Sequence, residues 1–251
     1  KVILLSSNIM VNTHILLIGP IRPNINYIIY SINNIKSIIP NIKTHISYWK
    51  TNDDDKNVLK SHFDYVYEND EPSLELCVSN INRVPTQIYH DPFPFVRLIN
   101  VYKTFVNMNI FFTKSVNNIQ GTDVMIRMRT DNIIQVLNER DFNIFIGDAQ
   151  LLNKNYAMVF RTDVWRGVCD WMCISNYDNI KKIWNYENIM KDSMKYNNDI
   201  KSVYNPETII SKRLLEEKIN VIKLNDIVRM SICRDFTKLD NSMITSLGNI
   251  I

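Results

Sequence analysis

Two arginines and an aspartate stand at the end of one apolar segment of this 251-residue sequence. Residues 123–128 (DVMIRM) alternate as a strand does, which turns Arg127 and Arg129 to one face, and Asp131 follows at the strand end. Arginine guanidinium groups pair with phosphate oxygens, and a carboxylate can hold a Mg²⁺ or Mn²⁺ that bridges those oxygens. The group therefore indicates a diphosphate site, although an ordinary cluster of Arg–Asp ion pairs would give the same pattern.

The literal Asp-x-Asp of the chain lies elsewhere, at Asp53-Asp54-Asp55. This motif is the usual metal-diphosphate signature of enzymes that use nucleotide sugars. Here it sits in the polar stretch 51–56 (TNDDDK), without a buried strand to aim it rigidly. We therefore predict a solvated loop at this position rather than a metal site.

A second cluster of candidate residues lies in the segment 160–171 (FRTDVWRGVCDW). The faces of Trp165 and Trp171 can stack on sugar rings, and the carboxylates of Asp163 and Asp170 can accept hydrogen bonds from sugar hydroxyls. The mixture suits a carbohydrate ligand. A helix whose tryptophans belong to the core explains it equally well.

Several familiar catalytic patterns do not occur in the sequence. It contains no Gly-x-Ser-x-Gly, no P-loop and no Gly-x-Gly-x-x-Gly motif, and its four histidines are not spaced as metal ligands. The four cysteines are too few and too scattered for a disulfide framework or a zinc site. Serine hydrolases, P-loop nucleotide hydrolases and dinucleotide-binding dehydrogenases are thereby disfavoured.

Alternating strands and helices must position the candidate residues. The apolar run 14–18 (HILLI) ends at Gly19-Pro20, a helix follows, and the strand at 63–67 ends just before Asp70. This alternation predicts one α/β domain with a mainly parallel central sheet and helices on both faces. Ligands of such sheets bind beyond the carboxyl ends of the strands, so Gly19, Asp70 and Asp131 are candidates for ligand contact.

The periodicity of the rest of the chain predicts further elements. They are a strand at 43–49, a helix through residues 98–112, strands at 143–146, 156–161 and 220–224, a helical region at 165–196 and a helix from Pro206 to about Lys218. Glu207 falls in the first turn of the last helix, where the helix dipole accounts for a carboxylate without any ligand. A role for Glu207 in binding an acceptor stays open.

The charge balance and the apolar segments limit the partners. With 29 Lys plus Arg against 26 Asp plus Glu, the net charge is +3, which supplies no chain-wide field for binding nucleic acid. No segment approaches the ~18 apolar residues of a membrane span, and no asparagine stands in a glycosylation sequon. We expect no nucleic-acid partner, no integral membrane segment and a cytoplasmic protein.

The series of segments, taken in order, resembles the WavE family of glycosyltransferases, which act in lipopolysaccharide and capsule synthesis and have relatives in large DNA viruses. The similarity runs from about Ile15 to Leu215. It is carried by 15–21 (ILLIGPI), 46–50 (ISYWK), 69–72 (NDEP), 124–131 (VMIRMRTD), 162–163 (TD) with Gly167 and Asp170, and 206–207 (PE). If this chain is viral, the resemblance places it in the host cytoplasm.

The resemblance implies a GT-A fold and the transfer of a sugar from a nucleotide diphosphate sugar to a hydroxyl of a growing glycan. A nucleotide-binding part would span about 10–132 and an acceptor part about 133–251 of a single domain, 1–251. Gly19 and Pro20 would lie under the nucleotide, and Asp70 would contact its base or ribose. Arg97 would also contact the donor, although Val96 and Leu98 flank it where relatives read Asn-Arg-Gln.

The resemblance also assigns roles in catalysis. Asp131 would stand at the last position of the Asp-x-Asp of other GT-A enzymes and ligate Mn²⁺ or Mg²⁺, with Arg127 or Arg129 sharing the charge of the diphosphate. Asp170 would be the base of an inverting transfer, because it follows Gly167 near a predicted helix start, where other inverting GT-A enzymes place their base. Asp163 is a second candidate, although its position nearer the strand end better suits binding a donor or acceptor hydroxyl. The acceptor glycan would contact Trp165, Trp171 and Glu207.

Two alternatives remain at this point. One is a catalytically inactive binding or structural module that keeps the fold. The other is a sugar nucleotidyltransferase, which normally carries a glycine-rich loop after its first strand, whereas this chain has the single Gly19 there.

Overall fold

Short segments rich in isoleucine and valine form the strands of this protein. The computed structural model describes residues 12–21, 25–50, 53–73, 75–77, 92–151, 155–162, 168–184, 206–224 and 226–232. Within these residues a seven-stranded sheet contains β1 (Thr13–Ile18), β2 (Lys43–Trp49), β3 (Tyr65–Asn69), β4 (Val124–Arg129), β6 (Tyr156–Val159), β7 (Met172–Asn176) and β8 (Asn220–Lys223). A separate antiparallel pair consists of β5 (Asn132–Val136) and β9 (Val228–Ile232).

The strand order of the large sheet is β3-β2-β1-β4-β7-β6-β8. Strand β1 is parallel to β2 and β4, β2 to β3, and β6 to β8, whereas β7 is antiparallel to both of its neighbours. The predicted mainly parallel sheet is confirmed. Because β7 runs the other way, it begins at the edge where β1 to β4 end.

Helices cover both faces of the sheet, as predicted. The described helices are α1 (Ile25–Ile38), α2 (Asp53–His62), α3 (Pro92–Ser115), α4 (Glu139–Leu151), α5 (Tyr177–Trp184) and α6 (Pro206–Glu216). One hydrophobic core packs α1, α2 and α4 against the first face, and a second packs α3, α5 and α6 against the other. The described residues thus form a single α/β domain of three layers.

The local sequence explains these elements. In α1, Ile28, Ile32 and Ile35 recur at helical spacing and are fully buried on one side. In β1, Ile15 and Leu17 enter the first core while their alternating neighbours enter the second. A strand that is buried on both faces reads as an unbroken apolar run, and the sequence of β1 has that form.

The register of the sheet sets the ends of the strands level with each other. Ile18, the last residue of β1, pairs with Ser47 on one side and with Arg129 on the other. The chain segments that follow Ile18 and Arg129 therefore leave the sheet side by side.

The strand predicted at 143–146 is wrong, because these residues belong to α4. The side-chain oxygen of Asn138 accepts a hydrogen bond from the backbone N–H of Asp141 at 3.1 Å, which caps the start of the helix. Phe142 and Ile146 are buried four residues apart, whereas Ile144 between them is 48% exposed. This burial follows the helical period and not the alternation of a strand.

Two other predictions about elements need correction. Within the region predicted as helical from 165 onward, Met172–Asn176 is strand β7, and α5 begins only at Tyr177. All five residues of β7 are buried, including the polar Ser175 and Asn176, so the strand has no exposed side and its sequence shows no alternation of apolar and polar residues. The predicted loop at Asp53–Asp55 is the first turn of α2, where acidic side chains favour a helix N-terminus.

Across the described part of the chain, no helix has the length and apolar character needed to cross a membrane.

Candidate functional site

The loops after β1 and β4 are joined by Thr130. Its hydroxyl donates a hydrogen bond to the carbonyl of Pro20 at 2.5 Å, and its backbone N–H donates to the carbonyl of Ile18 at 3.1 Å. Gly19 has a φ of 136°, and a Cβ on this residue would lie 2.7 Å from Thr130 Oγ1. The backbone at Gly19 therefore requires glycine, which brings the two loops into close contact.

Arg129 joins the two carboxylates of Asp131 and Asp170. Its Nε and Nη2 donate to the two oxygens of Asp131 at 2.8 and 2.7 Å, and its Nη1 lies 3.1 and 3.4 Å from the oxygens of Asp170. Burial alone would lower the pKa of Arg129, but the negative charges of Asp170 and Asp131 outweigh burial and raise it. Arg129 is therefore a fixed positive charge at this edge of the sheet.

The exposed fractions within this trio differ. The side chain of Arg129 is 22% exposed, whereas those of Asp131 and Asp170 are 5% and 6% exposed. The guanidinium-bearing side chain is thus the member that reaches solvent, with the carboxylates largely covered.

Arg127 lies deeper, on the same face of β4. It is fully buried, its guanidinium carbon lies 3.8 Å from the ring centroid of Trp184, and its Nη1 donates to the backbone carbonyl of Asp170. Burial lowers the pKa of Arg127 to about 10, so the group is charged at neutral pH. In this arrangement Arg127 does not reach a ligand at the surface, contrary to the prediction that it binds the diphosphate; it holds the segment that carries Asp170.

The donor atoms at this edge do not make a ready cation site. Both oxygens of Asp131 accept hydrogen bonds from Arg129, and the same guanidinium pairs with Asp170. Among the residues that the structure describes, no group of three His, Cys, Asp or Glu side chains is placed to hold a metal ion. A divalent cation at Asp131 would also lie next to the positive charge of Arg129. The donor set therefore does not fit the Mn²⁺ or Mg²⁺ that the sequence predicts.

At the end of β3, the predicted residue Asp70 and its neighbour Asn69 lie in different environments. Asp70 is exposed at this edge. Its neighbour Asn69 is buried, and the amide nitrogen of Asn69 donates to Ser47 Oγ and Asn107 Oδ1, both at 3.0 Å. Lys114 Nζ donates to Asn69 Oδ1 at 2.6 Å. This polar network fixes the strand ends, and the next residue, Asp70, is exposed to solvent.

Trp171 is the residue directly before β7, and Glu207 contacts the segment that leads into this strand. The ring of Trp171 stacks on Phe160 at 5.8 Å between centroids, and its carbonyl accepts a hydrogen bond from the side chain of Asn132 at 3.1 Å. Glu207 is largely buried in the first turn of α6, where its carbonyl accepts from the N–H of Val168 at 3.2 Å. Trp171 is partly exposed as a whole residue.

The side chains of three predicted site residues are not described by the structure. Asp163 and Trp165 lie outside the described residues. Arg97 falls in α3, on a part of the helix described by its backbone only. The structure does bring together Gly19, Pro20, Arg129, Asp131 and Asp170.

Sequence reasoning missed Thr130, Trp184 and Asn107. The small, β-branched Thr130 between Arg129 and Asp131 could have been noticed as the partner of a tight Gly-Pro turn. Trp184 lies 57 positions from Arg127 along the chain, and no local pattern in the sequence relates the two. Asn107 is a buried amide on an otherwise apolar face of α3. A polar residue at such a position needs a hydrogen-bond partner, and this was the signal in the sequence that could have identified it.

No protein-family model matches this chain, and no curated protein matches it either.

Solved structures do show some likeness. The mannosyltransferase Ktr4p from S. cerevisiae has a TM-score of 0.48 and 11% identity, over 88% of this chain and 70% of that one. A glycosyltransferase involved in glycosylation of the major capsid of PBCV-1 gives 0.42 and 9%, over 96% and 100% of the chains. The galactosyltransferase LgtC, solved with donor and acceptor sugar analogues, gives 0.43 and 10%, over 84% and 73%. At these values the likeness leaves the activity of this chain to be decided by its own residues.

Proposed function

We propose that this protein is a glycosyltransferase of GT-A type that moves a sugar from a nucleotide diphosphate sugar to a hydroxyl of a glycan. The observation that carries the proposal is the partly exposed side chain of Arg129, held by Asp131 and Asp170 beside the Gly19–Thr130 contact. Parallel α/β sheets bind ligands beyond the carboxyl ends of their strands, where these residues lie.

The donor diphosphate is proposed to lie against Arg129, with the nucleotide over Gly19 and Pro20. Glycine at this turn lets a ligand approach the backbone closely. Breaking the bond between sugar and phosphate leaves additional negative charge on the diphosphate, and a preorganised guanidinium stabilises that charge. Asp70, exposed at the end of β3, is the proposed contact to the base or ribose.

The acceptor is proposed to lie toward Trp171, whose partly exposed ring suits a sugar face. Glu207 and Trp165 are further proposed contacts on this side. In this proposal the nucleotide-binding part spans about residues 10–132 and the acceptor part about 133–251.

The base of the reaction is assigned differently from the sequence prediction. A base must take a proton from the acceptor hydroxyl on the face of the sugar opposite the diphosphate in an inverting transfer. Asp170 pairs with the same guanidinium as Asp131, so it lies on the diphosphate side of the site. It is also on a segment that leads into a strand and not at a helix start. We therefore assign Asp170 to orienting Arg129 and leave Asp163 as the proposed base.

Membership of the WavE family, a viral origin and a cytoplasmic location are also proposals. The free and buried state of Cys77, Cys169 and Cys173 supports that location, because secreted proteins more often pair their cysteines.

A thermal-shift screen of UDP-, GDP- and dTDP-sugars tests the proposed function. One donor class should raise the unfolding temperature at saturating concentration, and the same donor should give a much smaller shift with the Arg129→Met variant. The variant Lys60→Met, which removes an exposed charge from α2, is the matched control and should behave as the wild type. If no nucleotide sugar shifts the wild type, the proposal is wrong.

The two alternative functions, a sugar nucleotidyltransferase and an inactive module, predict different reaction products from those of a glycosyltransferase. A sugar nucleotidyltransferase would release pyrophosphate from a nucleoside triphosphate and a sugar 1-phosphate. An inactive module would bind a donor and release no nucleoside diphosphate from it.

A further inference from the structure

The polar cluster at the carboxyl edge already contains its own cation. Both oxygens of Asp131 face Arg129, at 2.8 Å from Nε and 2.7 Å from Nη2, and the third guanidinium nitrogen is 3.1 Å from Asp170. Charge-assisted pairs with this two-pronged geometry are among the stronger polar contacts in proteins. A metal ion at Asp131 would have to compete with this contact.

Exposure gives a second reason to consider Arg129 itself as the ligand-binding cation. Of the trio, the arginine side chain is 22% exposed, against 5% and 6% for the two carboxylates. A dissolved cation therefore has little access to the two carboxylates. A dissolved diphosphate can reach the arginine side chain, whose positive charge attracts it.

The charge of the wider cluster permits this attraction. Two carboxylates around one guanidinium would leave a negative site, but the buried guanidinium of Arg127 contacts the backbone carbonyl of Asp170 and adds a second positive charge. The formal charges of Arg127, Arg129, Asp131 and Asp170 then cancel. An anion at Arg129 meets no excess negative charge from these four groups.

We propose that Arg129 takes the place of a divalent metal, so that a nucleoside diphosphate binds at this site without Mn²⁺ or Mg²⁺. The inference rests on the proposed function, and it specifies how that function is carried out. Asp131 and Asp170 then hold the guanidinium in position and are not metal ligands.

Calorimetric titration of the full chain with UDP, GDP and dTDP tests this proposal. Each nucleotide is titrated once in EDTA and once with millimolar Mn²⁺. One nucleotide should bind with a dissociation constant that agrees within about twofold between the two conditions. Binding that needs Mn²⁺, or that Mn²⁺ strengthens more than about tenfold, overturns the inference while leaving the glycosyltransferase proposal in place. Absence of binding by all three nucleotides in both conditions overturns the proposed function and, with it, the inference.

The variant Asp131→Asn separates the two mechanisms by whether its effect depends on Mn²⁺. Asparagine keeps one acceptor oxygen for Arg129 and loses the other, so nucleotide binding should weaken by less than about threefold, and equally in EDTA and in Mn²⁺. If Asp131 were a metal ligand, binding in Mn²⁺ would fall by tenfold or more. The latter result overturns the inference.

Arg129→Lys provides the complementary variant, because it keeps the charge and removes the planar guanidinium. It should weaken nucleotide binding at least tenfold in EDTA, and added Mn²⁺ should not restore it. Circular dichroism and an unfolding curve confirm that each variant is folded, and the wild-type comparison between EDTA and Mn²⁺ decides the question even if a variant does not fold. Wild-type affinity of a folded Arg129→Lys variant would overturn the inference.

Discussion

The guanidinium of Arg127 lies 3.8 Å from the centre of the Trp184 ring, although the two residues belong to a strand and a helix on different parts of the chain. Trp184 is fully buried, and its ring also packs on Phe105 of α3 at 5.3 Å between centroids. Through Arg127, whose Nη1 donates to the carbonyl of Asp170, this contact connects the second core to the candidate site.

Replacing Trp184 should therefore be costly. Trp184→Ala removes a buried ring and leaves a cavity under a charged group, which we expect to lower the free energy of unfolding by about 3–5 kcal/mol. Trp184→Phe keeps an aromatic face under Arg127 and should cost clearly less. Urea unfolding of the three proteins measures the difference. Equal losses in the two variants would show that the aromatic face does not stabilise Arg127.

Gly19→Ala should disturb the site more than the addition of one methyl group suggests. Its φ of 136° disfavours any side chain, and the new Cβ would lie 2.7 Å from Thr130 Oγ1. We expect a loss of about 1–3 kcal/mol in the free energy of unfolding, together with weaker nucleotide binding. Gly147→Ala is the matched control, because a Cβ there meets nothing within 4 Å in helix α4 and should stabilise the protein slightly. Equal effects at the two glycines would contradict this account of the turn.

The protein should lose stability in acid because of two buried histidines. His14 Nδ1 and His45 Nε2 lie 2.9 Å apart, and burial lowers the pKa of His14 and lowers that of His45 from 6.5 to about 3. Below pH 6.5 the unfolded chain takes up protons on these histidines, whereas folded His45 does so only near pH 3. The free energy of unfolding should therefore fall as pH falls through this window, by up to about 1.4 kcal/mol per pH unit for each histidine.

His45→Phe tests this origin of the acid sensitivity. The new ring retains a planar face for Tyr65, which stacks on His45 at 4.5 Å between centroids. The slope of stability against pH between about pH 6 and pH 4 should decrease by up to about 1.4 kcal/mol per unit. An unchanged slope in His45→Phe would refute the assignment.

Asp170→Asn distinguishes a residue that orients Arg129 from a catalytic base. An asparagine oxygen can still accept a hydrogen bond from Arg129 Nη1, so we expect turnover to fall by less than about tenfold. Loss of a general base typically costs about 10²–10⁴-fold. The measurement is the turnover number at saturating donor and acceptor, with Asp54→Asn in the exposed first turn of α2 as control. A loss above about a hundredfold with unchanged donor affinity would restore Asp170 as the base.

The sequence predicts the fold well where an element shows its own period. The run of β1 up to Gly19 and the isoleucine face of α1 are local signals, and the structure has both elements there. The sequence does not predict strand β7, because all of its residues are buried and none alternates with an exposed side. It does not predict helix α4, because the start of this helix is marked only by the cap at Asn138. In both segments, burial against the rest of the fold determines the secondary structure.

The candidate site likewise contains residues whose position the sequence predicts and residues whose contacts it does not predict. Gly19, Arg129 and Asp131 were expected at one edge because parallel strands end together. The partnership of Arg129 with Asp170 depends on β7 pairing antiparallel with β4 across 41 positions, and the burial of Arg127 depends on Trp184. Such long-range contacts leave no spacing in the sequence from which they could be read.

Release of nucleoside diphosphate from a nucleotide sugar is the measurement that tests the central claim most directly. The purified chain is incubated with UDP-, GDP- and dTDP-sugars and followed by phosphorus NMR, which resolves the donor from its nucleoside diphosphate. We predict slow hydrolysis of one donor by the wild type, and a rate at least tenfold lower for Arg129→Met. A wild type that binds a donor and releases no nucleoside diphosphate from any of them, with or without oligosaccharide acceptors, would contradict the account.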